Sequence, residues 1–292
     1  MKFKDLTQKW KFLIVILSTL TILFTLAIAG VSVFLGTYRK NNADIRAALK
    51  KDDSELIGQR FKIVRNMKDD VDVNIYMPAD VSAEKRPVVF NIHGGGFVGG
   101  DADALDTQSD RIANEWNMIV VTINYTKADV KPVSYGAQEI SDTVLYFMDN
   151  AETYNADVAK YHIMGYSAGA YYAAEAVRLL KESGLDIHSL ILCYPWCTGL
   201  PTDALNEDWP KTLFVFAGQD PISQRAKHYA EDMENAGIEV EIIEYEGAVH
   251  SFIESNNPEG LSDPSDNMET VKNAAQEALA REAENAIKEW LE

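Results

Sequence analysis

Gly165-Tyr166-Ser167-Ala168-Gly169 is the segment from which the architecture of this 292-residue sequence can be worked out. An apolar run at residues 161–164 precedes it, and a helical pattern begins after it at Ala170. A G-x-S-x-G motif between a strand and a helix is typical of a sharp turn that holds a serine hydroxyl above the edge of a sheet. Glycine suits both flanking positions, because a side chain there would collide with neighbouring backbone. The same pattern also occurs in plain strand-to-helix turns, so the rest of the chain must decide.

The charge of the chain is divided unevenly along the sequence, although the formal net charge is −18. Residues 1–51 contain nine Lys or Arg and two Asp or Glu, whereas residues 52–292 contain 18 Lys or Arg and 43 Asp or Glu. So acidic a region disfavours nucleic acid as a partner, and it disfavours anionic substrates and anionic lipid surfaces. We expect most of these acidic residues to form a solvated surface that maintains solubility.

An N-terminal membrane segment is predicted at residues 12–36, which contain no charged residue and consist largely of Leu, Ile, Val, Phe and Thr. A helix of this length spans about 37 Å, which is sufficient to cross the core of a bilayer with some tilt. The alternative is a cleaved signal peptide, since Ala27-Ile28-Ala29 has the form of a cleavage site. The apolar run continues well beyond these residues, and its length favours an uncleaved signal anchor.

Basic residues flank the apolar segment on both sides, so the count for the positive-inside rule is nearly balanced. A short basic N-terminus ahead of a first apolar segment usually stays in the cytoplasm, which predicts that the acidic domain lies outside it. The resulting domain prediction is a basic tail at residues 1–11, a signal anchor at 12–36, a linker or short cap at 37–60 and one large domain at 61–292.

Strands and helices are predicted from the apolar runs that follow residue 60. Two strands at 61–67 and 71–77, separated by Lys68-Asp69-Asp70, indicate an antiparallel hairpin. Further strands are predicted at 87–92, 118–124, 161–164, 189–194, 212–217 and 239–245, and helices at 104–116, 135–150, 170 onward, 223–236 and 266–291. This order predicts an α/β fold, with a mostly parallel central sheet that carries helices on both faces.

A serine hydroxyl is a weak nucleophile at neutral pH unless a base accepts its proton and an acid orients that base. In sheets with this type of nucleophile turn, the chain order is Ser, then Asp or Glu, then His. We predict His250 as the base for Ser167, because it lies on a loop after the last strand. The predicted acid is Asp220, which directly follows an apolar strand, and the alternatives are Asp203 and Asp208 in the preceding loop.

Attack by a serine also needs N–H donors for the negative charge that forms on the carbonyl oxygen. The run His93-Gly94-Gly95-Gly96-Phe97 follows a predicted strand, and its three glycines leave the backbone N–H groups unobstructed. The N–H of Ala168 is the predicted partner donor. The remaining histidines are expected to be structural or exposed, and they are His162, His188 and His228.

Two cysteines, Cys193 and Cys197, are separated by Tyr-Pro-Trp. No further Cys or His lies at the spacing of a zinc site, and a thioredoxin-type pair has two intervening residues rather than three. We therefore predict free thiols, with a local disulfide as the alternative. Neither a metal ion nor a cofactor is expected.

Together these motifs resemble the hormone-sensitive-lipase-like branch of the α/β-hydrolase esterases, over residues 60–255. The matching stretches are His93-Gly94-Gly95-Gly96-Phe97, Asn124-Tyr125, Gly165-Tyr166-Ser167-Ala168-Gly169, Tyr194-Pro195-Trp196, Asp220-Pro221-Ile222 and His250-Ser251-Phe252. The resemblance implies that Ser167 is the nucleophile, that Asp220 is the orienting acid and that His250 is the base.

The same resemblance assigns roles to the glycine loop. It implies that Gly95, Gly96 and Ala168 donate to the oxyanion, with Gly94 as an alternative to Gly96. It also implies that His93 braces this loop and takes no part in proton transfer.

Two positions depart from that branch, because Tyr166 stands where it usually has Asp and Ala170 where it usually has Gly. Both residues are more similar to those of the small carbohydrate-esterase and formamidase-like hydrolases. The segment before the first strand and the loop at 194–211 are too short for a full lid domain. We therefore expect an open acyl pocket, which accepts esters attached to bulky groups.

The predicted function is hydrolysis of short-chain acyl or acetyl esters through an acyl-enzyme intermediate, by a single-pass membrane protein. A peptidase or amidase on the same fold is the first alternative, and a binding module without activity is the second. Gly96 weighs against the peptidase, since related peptidases tend to carry proline at the third glycine.

Overall fold

The computed structural model of this protein describes residues 7–66, 68–80, 84–256 and 273–292. Residues up to Asp44 form one compact unit, and residues from Ile45 onward form a second. The second unit contains the motifs identified in the sequence, and its sheet determines where their side chains lie.

The first helix, α1 (Gln8–Leu49), contains the whole predicted membrane segment and continues through part of the predicted linker. Among the described residues, Trp10–Leu49 is the one helix that is long and apolar enough to cross a membrane, with a mean hydropathy of 2.6 in its most apolar window. Hydrogen bonds to carbonyl oxygens one turn earlier are donated by the hydroxyls of Thr21, Thr25, Ser32 and Thr37. Each hydroxyl is thereby satisfied within the helix.

The second unit is built on one sheet of eight strands. They are β1 (Gln59–Ile63), β2 (Val71–Tyr76), β3 (Arg86–Ile92), β4 (Ile119–Ile123), β5 (Ala156–Tyr166), β6 (Ser189–Cys193), β7 (Lys211–Ala217) and β8 (Val240–Tyr245). Their order across the sheet is β1-β2-β4-β3-β5-β6-β7-β8. The pairs β1–β2 and β2–β4 are antiparallel, and the other neighbours are parallel. The predicted, mostly parallel sheet is confirmed.

Helices cover both faces of this sheet. They are α2 (Asp106–Trp116), α3 (Val133–Asp149), α4 (Ala151–Tyr154), α5 (Ala168–Glu182), α6 (Pro221–Asn235) and α7 (Ala274–Leu291). Buried side chains of α3, α5 and α6 pack into one hydrophobic core, and those of α2 and α7 pack into another. Alternate residues of β5 enter the two cores, Ile163 the first and Met164 the second, because successive side chains of a strand point to opposite faces.

The hairpin is the element whose predicted bounds need correction. β1 and β2 pair as predicted, but β1 ends at Ile63 rather than at residue 67, and Met67 lies outside the described residues. Arg65 is buried, and its guanidinium lies 3.3 Å from the carboxylate of Glu139 and 2.7 Å from that of Asp142. Both partners belong to α3, so the chain leaves the sheet after Ile63 to reach them.

Three other elements begin at positions that apolar periodicity does not indicate. β5 begins at Ala156, although residues 158–160 are exposed and carry no strand signal. The predicted helix at 104–116 is divided into a 3-10 turn, Ala102–Leu105, and α2. The last helix, α7, begins after Asn273, whose side chain accepts hydrogen bonds from two N–H groups of its first turn. Residues 266–272 of the predicted helix lie outside the described residues.

Candidate active site

Ser167 occupies the single position between β5 and α5, and its backbone has φ +52° and ψ −119°. A non-glycine residue rarely adopts this conformation, so neighbouring backbone must hold it in place. The N–H of Ser167 donates to the carbonyl of Cys193 on β6 at 3.0 Å, and its carbonyl accepts from the N–H of Trp196 at 3.1 Å. The sharp strand-to-helix turn predicted from the motif is therefore present, and Ser167 stands at its apex.

The two glycines of the motif leave no room for a side chain. A Cβ at Gly165 would lie 2.6 Å from the carbonyl oxygen of Gly169 and 2.7 Å from the Cα of Ala170. A Cβ at Gly169 would overlap the carbonyl oxygens of Ile92 and His93, where β3 ends. The close approach of α5 to β5 and β3 therefore depends on both glycines, as the motif predicts.

Replacement of Gly165 by Ala is expected to destabilise the protein by about 1–3 kcal/mol, because the new methyl group meets backbone that cannot move aside. Chemical denaturation of the purified protein measures this change in the free energy of unfolding. Gly247→Ala is the matched control, since a Cβ there would meet only the Cδ1 of Leu279, at 3.7 Å. Equal stability of both variants and the wild type would contradict this steric account.

Three side chains from the carboxyl ends of β5, β7 and β8 form a continuous hydrogen-bonded line. The Oγ of Ser167 lies 2.8 Å from the Nε2 of His250, and the Nδ1 of His250 lies 2.7 Å from the Oδ2 of Asp220. Asp203 and Asp208, the alternative acids, are exposed in the segment before β7. The structure therefore brings Ser167, His250 and Asp220 together and leaves the other two carboxylates outside this line.

Asp220 is held by the first turn of α6 as well as by His250. Its Oδ1 accepts from the N–H of Ile222 at 2.9 Å, and its Oδ2 accepts from the N–H and Oγ of Ser223 at 3.1 and 2.9 Å. Burial alone would raise the pKa of Asp220, but these hydrogen bonds and the neighbouring His250 outweigh it, so the pKa is lowered. An ionised carboxylate only accepts hydrogen bonds, so the Nδ1 of His250 carries the proton and its Nε2 faces the serine as an acceptor.

The other histidines of the second unit are occupied elsewhere or exposed. His162 is buried in β5, where its Nδ1 lies 2.7 Å from the Oγ of Ser189, and burial lowers its pKa to about 3. His188 and His228 are exposed, and the Nδ1 of His228 lies 3.2 Å from a carboxylate oxygen of Glu231. None of these histidines contacts Ser167, which agrees with their expected structural or exposed character.

The glycine loop after β3 turns sharply beside the serine. Gly95 and Gly96 have φ +120° and +57°, and the carbonyl of Gly95 accepts from the N–H of Gly99 at 2.7 Å. The N–H groups of Gly95, Gly96 and Ala168 have no acceptor within the part of the chain that the structure describes. All three residues line a cavity of about 290 Å³ together with Ser167 and His250. Unpaired N–H groups beside a nucleophile are the arrangement that stabilises an oxyanion.

Gly94 has a different position from the two glycines that follow it. It is buried and lies outside the lining of the cavity, against the carbonyl oxygen of Tyr166 and the Cβ of Ser167. Its own carbonyl oxygen lies 2.6 Å from the Nδ1 of His93. Gly96, rather than the alternative Gly94, therefore accompanies Gly95 at the cavity.

His93 is buried beside the glycine loop. Its ring stacks on that of Tyr125 with the centroids 4.4 Å apart, and its carbonyl oxygen accepts from the Tyr125 hydroxyl at 2.9 Å. Burial and the nearby charge of Lys127 lower the pKa of His93 well below its ordinary value, so the ring is neutral. Because a carbonyl oxygen only accepts, the Nδ1 of His93 is the donor to Gly94.

Lys127 is a contact of this site that the sequence analysis did not identify. Its side chain is buried, and its Nζ lies 3.1 Å from the Nε2 of His93. Lys127 follows the matching stretch Asn124-Tyr125 by two residues. A lysine in a loop after a strand ordinarily points to solvent. No sequence signal distinguishes this lysine from an exposed one.

Aromatic and apolar side chains form the rest of the cavity wall, which consists of Phe97, Trp196 and Ile222 beside Ser251. The rings of Phe97 and Trp196 are perpendicular, with centroids 6.1 Å apart. A volume of about 290 Å³ is at the lower end for ligand pockets and suits a small group. The wall therefore offers an apolar contact surface next to the serine and limits the size of what it receives.

Tyr166 and Cys193 belong to one hydrophobic core, and Cys197 packs against the other. Tyr166 is fully buried in the core covered by α2 and α7, and its ring stacks on that of Tyr194. Cys193 and Cys197 are free thiols, and burial raises the pKa of both. Among the described residues, no group of three His, Cys, Asp or Glu side chains is arranged to hold a metal ion.

A family model described as alpha/beta hydrolase fold matches residues 89–208 and 200–254. The esterase LipI of Mycobacterium tuberculosis is 25% identical over 227 residues, which cover 63% of this chain and 71% of LipI. An acetyl esterase of Salmonella schwarzengrund is 28% identical over 130 residues, which cover 44% of this chain and 38% of that enzyme. The structure of an esterase from Pyrobaculum calidifontis is similar over 88% of this chain and 92% of its own, with a TM-score of 0.68 and 21% identity.

Proposed function

This chain belongs to the α/β-hydrolase fold family, and on that premise we propose that it is a membrane-anchored serine hydrolase that cleaves carboxylic esters with short acyl groups. The observation that carries the proposal is the line of hydrogen bonds from Ser167 through His250 to Asp220, next to unpaired backbone N–H groups. The names of an esterase and an acetyl esterase among its relatives support the ester as substrate, although this chain spans only 38% of the acetyl esterase.

The proposed reaction has two halves, formation of an acyl-enzyme and its hydrolysis, and each half passes through a tetrahedral intermediate. His250 Nε2 accepts the proton of Ser167 Oγ as this oxygen bonds to the ester carbonyl carbon, and the carbonyl oxygen becomes negative. The N–H groups of Gly95, Gly96 and Ala168 donate to that oxygen. His250 then gives its proton to the departing alcohol, which leaves an acyl group on Ser167. Water then attacks the acyl group on Ser167 while His250 again accepts a proton, and the carboxylic acid is released when His250 returns that proton to Ser167 Oγ.

The cavity wall supports a preference for short acyl groups. Trp196→Ala is expected to raise kcat/KM for p-nitrophenyl octanoate relative to the acetate by about tenfold or more, because each methylene in an apolar pocket contributes roughly 1–3 kcal/mol. The ratio of the two kcat/KM values is the measurement, and it cancels any common loss of folded protein. Trp196→Phe is the control, since it retains a ring in this wall and is expected to retain the preference. An unchanged ratio in the alanine variant would show that the acyl group does not bind against Trp196.

A peptidase or amidase on the same fold is the second candidate, because a Ser-His-Asp line also cleaves amides. Hydrolysis of p-nitrophenyl acetate without hydrolysis of peptide p-nitroanilides is the result expected for an esterase. The reverse preference would support the peptidase. A purified protein that hydrolyses neither substrate and is not labelled by a fluorophosphonate would support the inactive binding module instead.

We also propose that α1 anchors the protein in a membrane, with the acidic domain outside the cytoplasm. The length and apolar composition of Trp10–Leu49 support the anchor, and the basic N-terminus supports the orientation. Protease added to intact cells is expected to digest the second unit and to spare a cytoplasmic marker. N-terminal sequencing of the membrane fraction distinguishes an uncleaved anchor from a processed signal peptide, whose product would begin after Ala29.

A further inference from the structure

Lys127 is a buried lysine whose ammonium contacts three acceptors and one aromatic ring. Its Nζ lies 3.1 Å from His93 Nε2, 3.0 Å from Asn124 Oδ1 and 2.6 Å from the carbonyl oxygen of Tyr125. The same nitrogen lies 4.2 Å from the centroid of the Tyr125 ring, which is within the range of a cation–π contact. Lys127 is 4% exposed, so these groups replace water around its ammonium.

The number of acceptors determines which protonation state fits this site. An ammonium has three N–H donors, and it faces three acceptors: a ring nitrogen, an amide oxygen and a carbonyl oxygen. A neutral amine has only two N–H groups, so one acceptor would lose its donor. The Nε2 of His93 qualifies as an acceptor because its Nδ1 is the nitrogen that carries the proton, which it donates to the carbonyl of Gly94.

We propose that Lys127 is a positioning residue whose ammonium fixes the tautomer of His93 and thereby holds the glycine loop with the N–H groups of Gly95 and Gly96 directed at the oxyanion. The chain of contacts runs from Lys127 Nζ to His93 Nε2, and from His93 Nδ1 to the carbonyl of Gly94. That carbonyl belongs to the peptide unit whose nitrogen is the N–H of Gly95. A change in the His93 hydrogen bond therefore turns the first of the oxyanion donors.

Loss of the ammonium would disturb this arrangement in a defined way. A neutral Lys127 can turn its lone pair toward His93, and the ring then carries its proton on Nε2. The unprotonated Nδ1 would face the carbonyl oxygen of Gly94 across 2.6 Å, where two acceptors repel each other. The peptide unit between Gly94 and Gly95 must then move away from the ring.

Four charged residues influence the pKa of this lysine, namely Asp101, Arg46, Glu139 and Asp129. Asp101 follows the glycine loop and is linked to Lys127 through Asn124. The Nδ2 of Asn124 donates to Asp101 Oδ2 at 2.9 Å, and its Oδ1 accepts from Lys127 Nζ. Burial and the charge of Arg46 on α1 lower the pKa of Lys127, the carboxylates of Asp101, Glu139 and Asp129 oppose this fall, and the resulting pKa is about 7. The ammonium form is therefore the one present below that pH, and it is lost as the pH rises through about 7.

The proposal rests on the proposed esterase function and predicts a specific pH dependence of kcat. In the wild type, kcat for p-nitrophenyl acetate is expected to fall on the alkaline side as Lys127 loses its proton. Lys127→Met is expected to lower kcat at pH 6.5 by about 10²-fold, the loss typical of displaced catalytic groups, and to remove the alkaline fall. Lys127→Arg is expected to retain most of kcat and to extend it to higher pH, because arginine remains charged.

Full-length protein in detergent is used for all variants, and kcat is normalised to the amount of serine that a fluorophosphonate labels at completion. Lys131→Met is the matched control, a lysine four residues later whose side chain is 45% exposed. Unchanged kcat and an unchanged alkaline fall in Lys127→Met would overturn the proposal. Equal losses in the Met and Arg variants would also overturn it, since the charge would then have no role.

A second measurement tests the tautomer without any reliance on activity. Selective 15N-histidine labelling gives signals from five histidines, and His93→Asn identifies the one that belongs to His93. The Nδ1-protonated form is expected in the wild type at pH 6.5 and a shift toward the Nε2-protonated form in Lys127→Met. If the wild type lacks esterase activity but shows this change, the proposed function fails and the assignment of Lys127 stands. An Nε2-protonated ring in the wild type overturns the assignment itself.

Discussion

Ser167→Ala is expected to lower kcat/KM for p-nitrophenyl acetate by about 10⁶-fold and to abolish covalent labelling by a fluorophosphonate. The hydroxyl is the atom that bonds to the substrate carbonyl, and no other group in the site can take its place at 2.8 Å from His250 Nε2. Residual hydrolysis above the rate in water is still expected, because the unpaired N–H groups remain beside the cavity. Steady-state kinetics and gel-based detection of the labelled protein measure the two effects.

Ser251→Ala is the matched control for this experiment. Ser251 lines the same cavity and has φ +64°, so alanine there meets the same backbone constraint as serine. The control variant is expected to retain both hydrolysis and labelling. Labelling of the Ser167→Ala protein at any residue of the cavity would show that another nucleophile is used, and the proposed role of Ser167 would be wrong.

Much of this site follows from where strands end in the sequence. Ser167, Asp220 and His250 each follow a strand, and these strands, β5, β7 and β8, are all parallel members of one sheet. Their carboxyl ends therefore meet at one edge, and chain order alone indicates which acid and which histidine accompany the serine. The glycine motif is similarly informative, since it predicts close backbone contacts, and a Cβ at Gly165 or at Gly169 would indeed overlap neighbouring backbone.

Other features of the site depend on contacts that sequence patterns do not encode. Three consecutive glycines do not indicate which of them faces the cavity, and the structure separates Gly94 from the other two through its contact with His93. The burial of Lys127 could not be predicted from the sequence, for a different reason. Its burial depends on acceptors from the loops after β3 and β4, which come together only in the folded sheet.

The bounds of several strands and helices could not be predicted from the sequence, for related reasons. β1 ends at Ile63, and Arg65 two residues later pairs with carboxylates on α3, so a distant ion pair overrides the local strand pattern. Residues 158–160 of β5 are exposed and carry no apolar alternation, so the start of this strand is defined by the pairing of Ala156 with Arg86 of β3. Apolar periodicity in a sequence indicates which residues are buried. It gives no signal where a strand or helix is held in place by polar contacts.

Asp220→Asn is expected to lower kcat by about 10⁴-fold, with a much smaller change in KM. An asparagine amide at the position of Oδ2 donates to the Nδ1 of His250, and the ring must then carry its proton on Nε2. The Nε2 would face the hydroxyl of Ser167 as a donor and cannot accept the proton that the reaction requires. The NH₂ group of asparagine meets the N–H of Ser223 in this orientation and the N–H of Ile222 in the reversed one, so neither orientation keeps every hydrogen bond of Asp220.

The fold is expected to tolerate this change, which makes it a sharp test of the acid. Asp220 caps the N-terminus of α6, and asparagine is an equally favoured residue at such a position. Thermal midpoints close to that of the wild type are therefore expected, together with the large loss of kcat. Asp203→Asn and Asp208→Asn are the matched controls, since both carboxylates are exposed and lie in the segment before β7. If either control loses activity while Asp220→Asn retains it, the orienting acid is one of these residues, and the line from Ser167 through His250 ends at a different carboxylate.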